Sequence, residues 1–165
     1  MAIRTIRTSE DEILRKISKP VKEITDNITT LLDDMVDTMF DLNGVGLAAV
    51  QVGALRRVLI VDAPNAEEFG DDYESEIIEM INPEIIETDG EVVKNEGCLS
   101  IPGKAGTVVR PKFIKVSFLN RDGEEMFIEA TGYRARAISH EIDHLNGILF
   151  TDKVLEFVKN EEEGT

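Results

Sequence analysis

The sequence has no tryptophan, few aromatic residues and a single cysteine, Cys98, so it can close no internal disulfide. A disulfide-stapled secreted scaffold is excluded, and the lone thiol fits a reducing compartment in which it stays available for packing, catalysis or metal ligation. Histidine is nearly as scarce: His140 and His144 are the only two, and both fall in one short window. Positive charge is also in short supply, with 18 Lys and Arg against 33 Asp and Glu, a formal net charge of -15. A field of that sign repels phosphate backbones and anionic lipid, so neither nucleic-acid nor membrane-surface binding is expected. No apolar stretch approaches the ~20 residues that cross a bilayer, which excludes a transmembrane helix. Met1 to Arg7 carries positive charge but leads into Ser9-Glu-Asp-Glu12 and not into an apolar stretch. No secretory signal is therefore expected, and the cytoplasm is the expected location.

What is present is ordinary globular material: 165 residues, 42% hydrophobic and 31% charged. A chain of that size and composition forms one domain, here residues 1–165, and buries roughly 70% of the surface its unfolded form exposes. Ser9 with Glu12 three residues later is a capping-box pattern, predicting a short helix closed off by Pro20. From Asp26 to Leu42, Ile28, Leu31, Leu32, Met35, Val36, Met39 and Phe40 recur at three- and four-residue steps, and Asn43-Gly44 follows. That is the apolar face of an amphipathic helix with its stop signal, and the methionines belong to core. Arg57 to Asp62 reads as a buried strand, Asn65 to Glu74 as an acidic surface loop, and Glu76 to Ile81 and Ile85 to Thr88 as strands before an Asp89-Gly90 turn. Phe113 to Leu119 and Glu125 to Glu129 flank Asn120-Arg-Asp-Gly123, a hairpin signal. Tyr133 to Leu145 returns to helical spacing and Asn146-Gly147 ends it. The expected class is α+β: antiparallel sheets packed around a catalytic helix, with one long N-terminal amphipathic helix.

That later helix carries His140-Glu-Ile-Asp-His144, an H-E-x-x-H match. Spacing of i to i+4 puts both imidazoles on one face a turn apart, where they can grip one ion. Glu141 beside the first of them can take a proton from a water on that ion and later hand it to a leaving group. A catalytic site needs a third protein ligand and an open position. The metzincin extension of the motif requires a histidine where this chain has Phe150. Glu156 or Glu161 would serve a thermolysin-like site, but they sit in a charged tail without a second helix to present them. Cys98, in Glu96-Gly-Cys-Leu-Ser100, is the better candidate, because a thiolate is a strong ligand for a borderline ion. A lone cysteine is otherwise most often an inert core thiol.

The segment Gly44-Val-Gly-Leu-Ala-Ala-Val-Gln51 satisfies the letters of a dinucleotide fingerprint, but that fingerprint needs a strand before and a helix after, and here the order is reversed. Its glycines more simply let backbone lie against a substrate. Gln51 could donate to an oxyanion without adding charge, though taken alone it reads as a surface or structural glutamine.

Gly44 to Gln51, Glu96 to Ser100 and His140 to His144, in that order and spacing, resemble the peptide deformylase family over nearly the whole chain. The resemblance implies a metal-dependent hydrolase that removes the formyl group from N-formylmethionine on newly made polypeptides and releases formate. It implies Cys98, His140 and His144 as ligands of one divalent ion, ferrous iron with zinc, nickel or cobalt as substitutes, and Glu141 as acid/base. It further implies an oxyanion held by the metal, the Gln51 carboxamide and the Leu99 backbone N–H, with Val45 and Gly46 lying along the peptide as an added strand. Tyr133, Ala137 and the ring side of His140 would surround the methionine side chain. Ser139 departs from the family, which often has glutamine there, and the acidic ending Asn160 to Thr165 replaces the longer basic helix of some members. Contact with ribosomes is therefore expected to be weak or transient, and the chain to be a monomer. An H-E-x-x-H metallopeptidase and a catalytically silent metal-binding module are the alternatives.

Overall fold

A computed structural model describes residues 2–158. Its class is α+β, with antiparallel sheets and helices. The strands are β1 (Gly46–Ala48), β2 (Val58–Val61), β3 (Ile78–Asp89), β4 (Val92–Cys98), β5 (Ile101–Arg110), β6 (Phe113–Leu119), β7 (Glu125–Thr131) and β8 (Glu156–Phe157). The helices are α1 (Asp26–Asp41) and α2 (Gly132–Leu145). One sheet has the order β1-β2-β3-β6-β7 and the other β4-β5-β8, with every pairing antiparallel.

The five-stranded sheet lies between the helices, and β2 shows why. Val58 and Ile60 pack in one apolar cluster with Leu31, Leu32, Met35 and Met39 of α1. Leu59 and Val61 pack in the other, with Ala135, Ile138, Ile142 and Leu145 of α2. A strand covered on both faces has no polar side to show, hence its unbroken apolar run. Each such side chain contributes about 1.5–3 kcal/mol by leaving water.

Helix α1 ends as its sequence predicts: Asn43 takes a positive φ of 55° and the Gly44 N–H reaches the Met39 carbonyl at 2.9 Å. Its apolar face is narrower than the spacing suggests, since Phe40 is 48% exposed. Helix α2 is bounded by two glycines of positive φ. A β-carbon on Gly132 would stand 2.3 Å from the Ala66 carbonyl oxygen, and one on Gly147 would stand 2.5 Å from that of Arg15. Only glycine lets those backbones approach so closely.

Several local expectations need correction. The helix foreseen from Ser9 is a single 3-10 turn, Glu12–Arg15, and its cap is Asp11, whose carboxylate accepts from the Ile13 N–H at 3.0 Å. The two strands expected between Glu76 and Thr88 are one, β3, broken in register near Asn82. There Asn82 has φ 53° and its side chain both donates to and accepts from the Val21 backbone at 2.8 Å. The Asp89-Gly90 turn, as expected a turn, carries the chain from one sheet to the other. The glycine-rich segment holds an edge strand, β1, and β4 and β5 form a hairpin. Residues Asn160 to Thr165, including Glu161, lie outside the described residues. Among the described residues no helix is long and apolar enough to cross a membrane.

Candidate metal centre and active site

Helix α2 buries His140, Glu141 and His144, and its pitch stacks the two imidazoles edge to face with centroids 4.9 Å apart. Cys98 closes the set from another direction. It ends β4 where the register shifts between Gly97 and Cys98, and its Sγ lies 3.2 Å from His144 Nε2. One ligand atom from each of Cys98, His140 and His144 falls within 4.8 Å of the others, a geometry that could hold a metal ion. A thiolate and two imidazoles suit a borderline divalent ion such as iron, cobalt, nickel or zinc. Two other positions weighed from the sequence lie apart from this arrangement. Phe150 is buried with its ring stacked on His140 at 6.2 Å, and Glu156 is exposed on β8.

Glu141 is 5% exposed, and its Oε1 has no hydrogen-bond partner among the described residues. An unpaired buried carboxylate is costly, so it must face something that the side chains do not supply, as an ion with its water would. Burial, with the charges of Glu96 and Asp143 adding to it, pushes its pKa up to about 7 against the pull of His140 and Arg110. The histidines are driven apart. Burial and the charges of His140 and Arg110 hold His144 well below its ordinary value. Burial also opposes His140, but Cys98, Glu96 and Glu141 outweigh it and raise that ring.

Gln51 is not a surface residue. It sits 1% exposed in the 3-10 turn Ala49–Val52, which Gly53 ends at φ 88°. Its Oε1 accepts from the Ala48 N–H at 2.9 Å, which fixes the amide so that Nε2 donates to Ser100 Oγ at 3.1 Å and faces Cys98 Sγ at 3.6 Å. A cavity of about 410 Å³ opens onto this cluster. Val45, Gly46, Leu99, Tyr133, Ala137 and Glu141 all line it, so the residues singled out from the sequence converge on one space. Gly46 is close-fitted: a β-carbon there would lie 2.7 Å from Glu141 Oε2.

Other participants had gone unnoticed. Glu96 Oε1 accepts from His140 Nδ1 at 2.8 Å, and Arg110 binds both Glu96 oxygens at 2.7 and 2.8 Å and Asp143 at 2.6 Å. Arg110 and His140 outweigh burial and hold the Glu96 carboxyl at about 2, so Glu96 is an ionised acceptor and the His140 nitrogen donates. Period two along a strand puts residues i and i+2 on one face, and that rule alone could have joined Glu96 to Cys98. Arg110 and Asp143 meet through tertiary structure and left no such signal. Arg136 also lines the cavity, its guanidinium 5.2 Å over the Tyr133 ring and bonded to the Glu67 carbonyl at 3.2 Å. Ser139 is buried with its Oγ unpartnered among the described residues.

The family profile described as polypeptide deformylase matches residues 3–160. A peptide deformylase of Acetivibrio thermocellus is 54% identical over 98% of this chain and 89% of its own length. The crystal structure of the Thermotoga maritima peptide deformylase superimposes with a TM-score of 0.84 at 39% identity, covering 93% of this chain and 99% of that one. The Acinetobacter baumannii peptide deformylase, in a structure bound to Met-Ala-Ser, superimposes with a TM-score of 0.86 at 36% identity over 93% of this chain and 99% of its own.

Proposed function

This chain belongs to the polypeptide deformylase family, a metal-dependent hydrolase of N-formylated nascent peptides, and from that membership we propose how its own residues divide the work. The reading rests on one observation: a buried Glu141, its Oε1 without a hydrogen-bond partner among the described residues, lines the same cavity as Cys98 and His140, two of the three convergent ligand residues. Cys98, His140 and His144 hold the ion, ferrous iron in the working enzyme, with zinc, nickel or cobalt as substitutes. When bound, such an ion supplies Lewis acidity, polarising the formyl carbonyl and making water acidic enough to attack near neutral pH.

Glu141 takes the proton that the attacking water loses and passes it to the departing amine, so that the formyl C–N bond breaks to give formate and a free N-terminus. Burial keeps that carboxylate basic enough for the first transfer and acidic enough for the second. The Gln51 Nε2, its amide fixed by Ala48, donates to the developing oxyanion together with the Leu99 backbone N–H.

Substrate alignment comes from sheet edges. The Asp62 N–H bonds the Val45 carbonyl at 2.9 Å, and Gly46 pairs with Val61, so alternation turns the Gly46 N–H and C=O away from β2. β1 is an outer strand of one sheet and β4 of the other, and Gly46 and Gly97 line the same cavity. An extended peptide entering between them pairs as an added strand, as in other sheet-edge recognition. Tyr133, Ala137 and the His140 ring, with the Arg136 stem, surround the methionine side chain. The Met-Ala-Ser bound by the Acinetobacter relative supports a substrate that begins with methionine. The enzyme works in the cytoplasm as a single-domain monomer, and its net charge of -15 limits it to transient ribosome contact. Stable co-sedimentation with ribosomes at physiological salt would overturn that last point.

The deciding experiment is formate release from a formyl-methionyl tripeptide by protein purified without oxygen, with metal content measured on the same sample. Formate production should track bound metal and vanish in Cys98→Ala. Bound metal with no formate under iron, nickel, cobalt or zinc would sink the assignment of these residues.

A further inference from the structure

Arg110, the last residue of β5, is 2% exposed and carries a charge that no ordinary pH removes. Its Nε and Nη2 grip Glu96 Oε2 and Oε1 at 2.7 and 2.8 Å, and its Nη1 grips Asp143 Oδ2 at 2.6 Å. Glu96 precedes Cys98 by two residues in β4, and Asp143 immediately precedes His144 in α2. One guanidinium therefore spans the two elements that carry all three ligand atoms. Lys153 Nζ caps the outer end of the chain at 3.0 Å from the same Asp143 oxygen.

Stability alone does not account for this arrangement, because well-packed apolar residues hold elements together as well as a buried ion pair does. The pair does something an apolar contact cannot. A carboxylate gripped at both oxygens cannot rotate, so Glu96 Oε1 is held at 2.8 Å from His140 Nδ1 as a fixed acceptor. An imidazole that donates from Nδ1 keeps its lone pair on Nε2, the nitrogen left for an ion.

We propose that Arg110 is a positioning residue of the metal site: through Glu96 it fixes the tautomer and tilt of His140, and through Asp143 it holds α2 at the distance from β4 that lets Cys98 and the two histidines share one ion. The inference rests on the reading of Cys98, His140 and His144 as ligands. Arg110 touches neither ion nor substrate.

The test uses the full chain loaded with cobalt(II), whose absorption spectrum reports thiolate ligation, with affinity measured by chelator competition and the melting temperature of the metal-free protein alongside. Arg110→Lys keeps the charge, but an ammonium is a point donor that cannot fork onto Glu96 and reach Asp143 at once. It should bind cobalt about 10- to 100-fold more weakly, the usual effect of losing an outer partner of a ligating histidine. Glu96→Gln breaks the same fork while leaving an oxygen for His140, and it carries the test if Arg110→Lys does not fold. The double variant should bind no more weakly than the weaker single one, because both changes cut one relay. Wild-type cobalt affinity and an unchanged spectrum in Arg110→Lys, with only a lower melting temperature, would show that Arg110 merely holds the fold. Additive losses in the double variant would show that it does not act through Glu96. Absence of the thiolate band in the wild type, or its survival in Cys98→Ser, would instead remove the ligand reading on which the inference stands.

Discussion

Gly46→Ala isolates the fit between β1 and the carboxylate of Glu141. The new β-carbon would lie 2.7 Å from Glu141 Oε2 and 3.1 Å from its Cγ, where comfortable separations are about 3.5–4.0 Å. The backbone of Gly46 is not in the left-handed region, so an alanine can be seated there without strain and the effect is confined to that contact. Relief requires a displacement of roughly 0.8 Å, and Glu141, only 5% exposed, has no open solvent to swing into. Overfilling of this kind costs about 1–3 kcal/mol of stability, and misplacing a reacting group by ~1 Å costs about 100-fold in rate. The Gly46 N–H and C=O survive the substitution, so KM should change little while kcat falls about 100-fold. Steady-state formate release, elemental analysis for metal and a thermal melt on one preparation measure all three quantities. Unchanged kcat in a folded variant, or a loss of rate that merely follows a loss of metal, would refute the reasoning.

Glu141→Gln should lower turnover by about 10²- to 10⁴-fold at unchanged metal content, and loss of the metal in that variant would argue that Glu141 supports the ligands and does not move protons. Gly132→Ala sets a side chain at φ 57° against the Ala66 carbonyl, 2.3 Å from the new carbon, and should destabilise by about 2 kcal/mol or more in urea unfolding; a variant as stable as wild type would show that the 63–67 loop yields freely. Burial works to raise the Asp62 carboxyl, but hydrogen bonds from Ser75, Tyr73 and the Glu76 N–H outweigh it and hold it below the ordinary carboxylate value. A depressed folded pKa adds stability above the unfolded value of about 3.9 and loses it as pH falls through the folded one, so the stability gap between wild type and Asp62→Asn should be full near neutral pH and close below about pH 4. A gap that stays constant down to strongly acidic pH would contradict that account.

The elements legible in the sequence are those whose apolar residues recur with a period or run unbroken, as in β2. Helix α1 declared itself through Leu31, Met35 and Met39, and α2 through both histidines at one-turn spacing. The β6-β7 hairpin was visible because Asn120-Arg-Asp-Gly123 is local chemistry, with Asn120 Oδ1 accepting from the Asp122 and Glu124 N–H groups at 3.0 Å. What escaped depends on partners far along the chain. β1 has three residues and is a strand only because β2 pairs with it. The Ser9 capping pattern lost to Asp11, whose carboxylate also takes the Arg7 guanidinium at 2.9 Å. Within the site, Cys98 and the histidines were recognisable by residue type, whereas Gln51 looked superficial because its partner Ser100 lies far along the chain. Arg110 and Asp143 carry no mark until folding brings them together across 33 residues.

The edge position of Gly46 bears on the breadth of the enzyme's clientele. Pairing through main-chain groups is blind to what each residue carries, since every peptide unit except one ending at proline presents the same N–H and C=O. A catalyst that aligns its substrates in this way needs no separate recognition element for each new gene product. Main-chain pairing at that edge, as proposed above, would let one small protein serve as a generalist across a proteome.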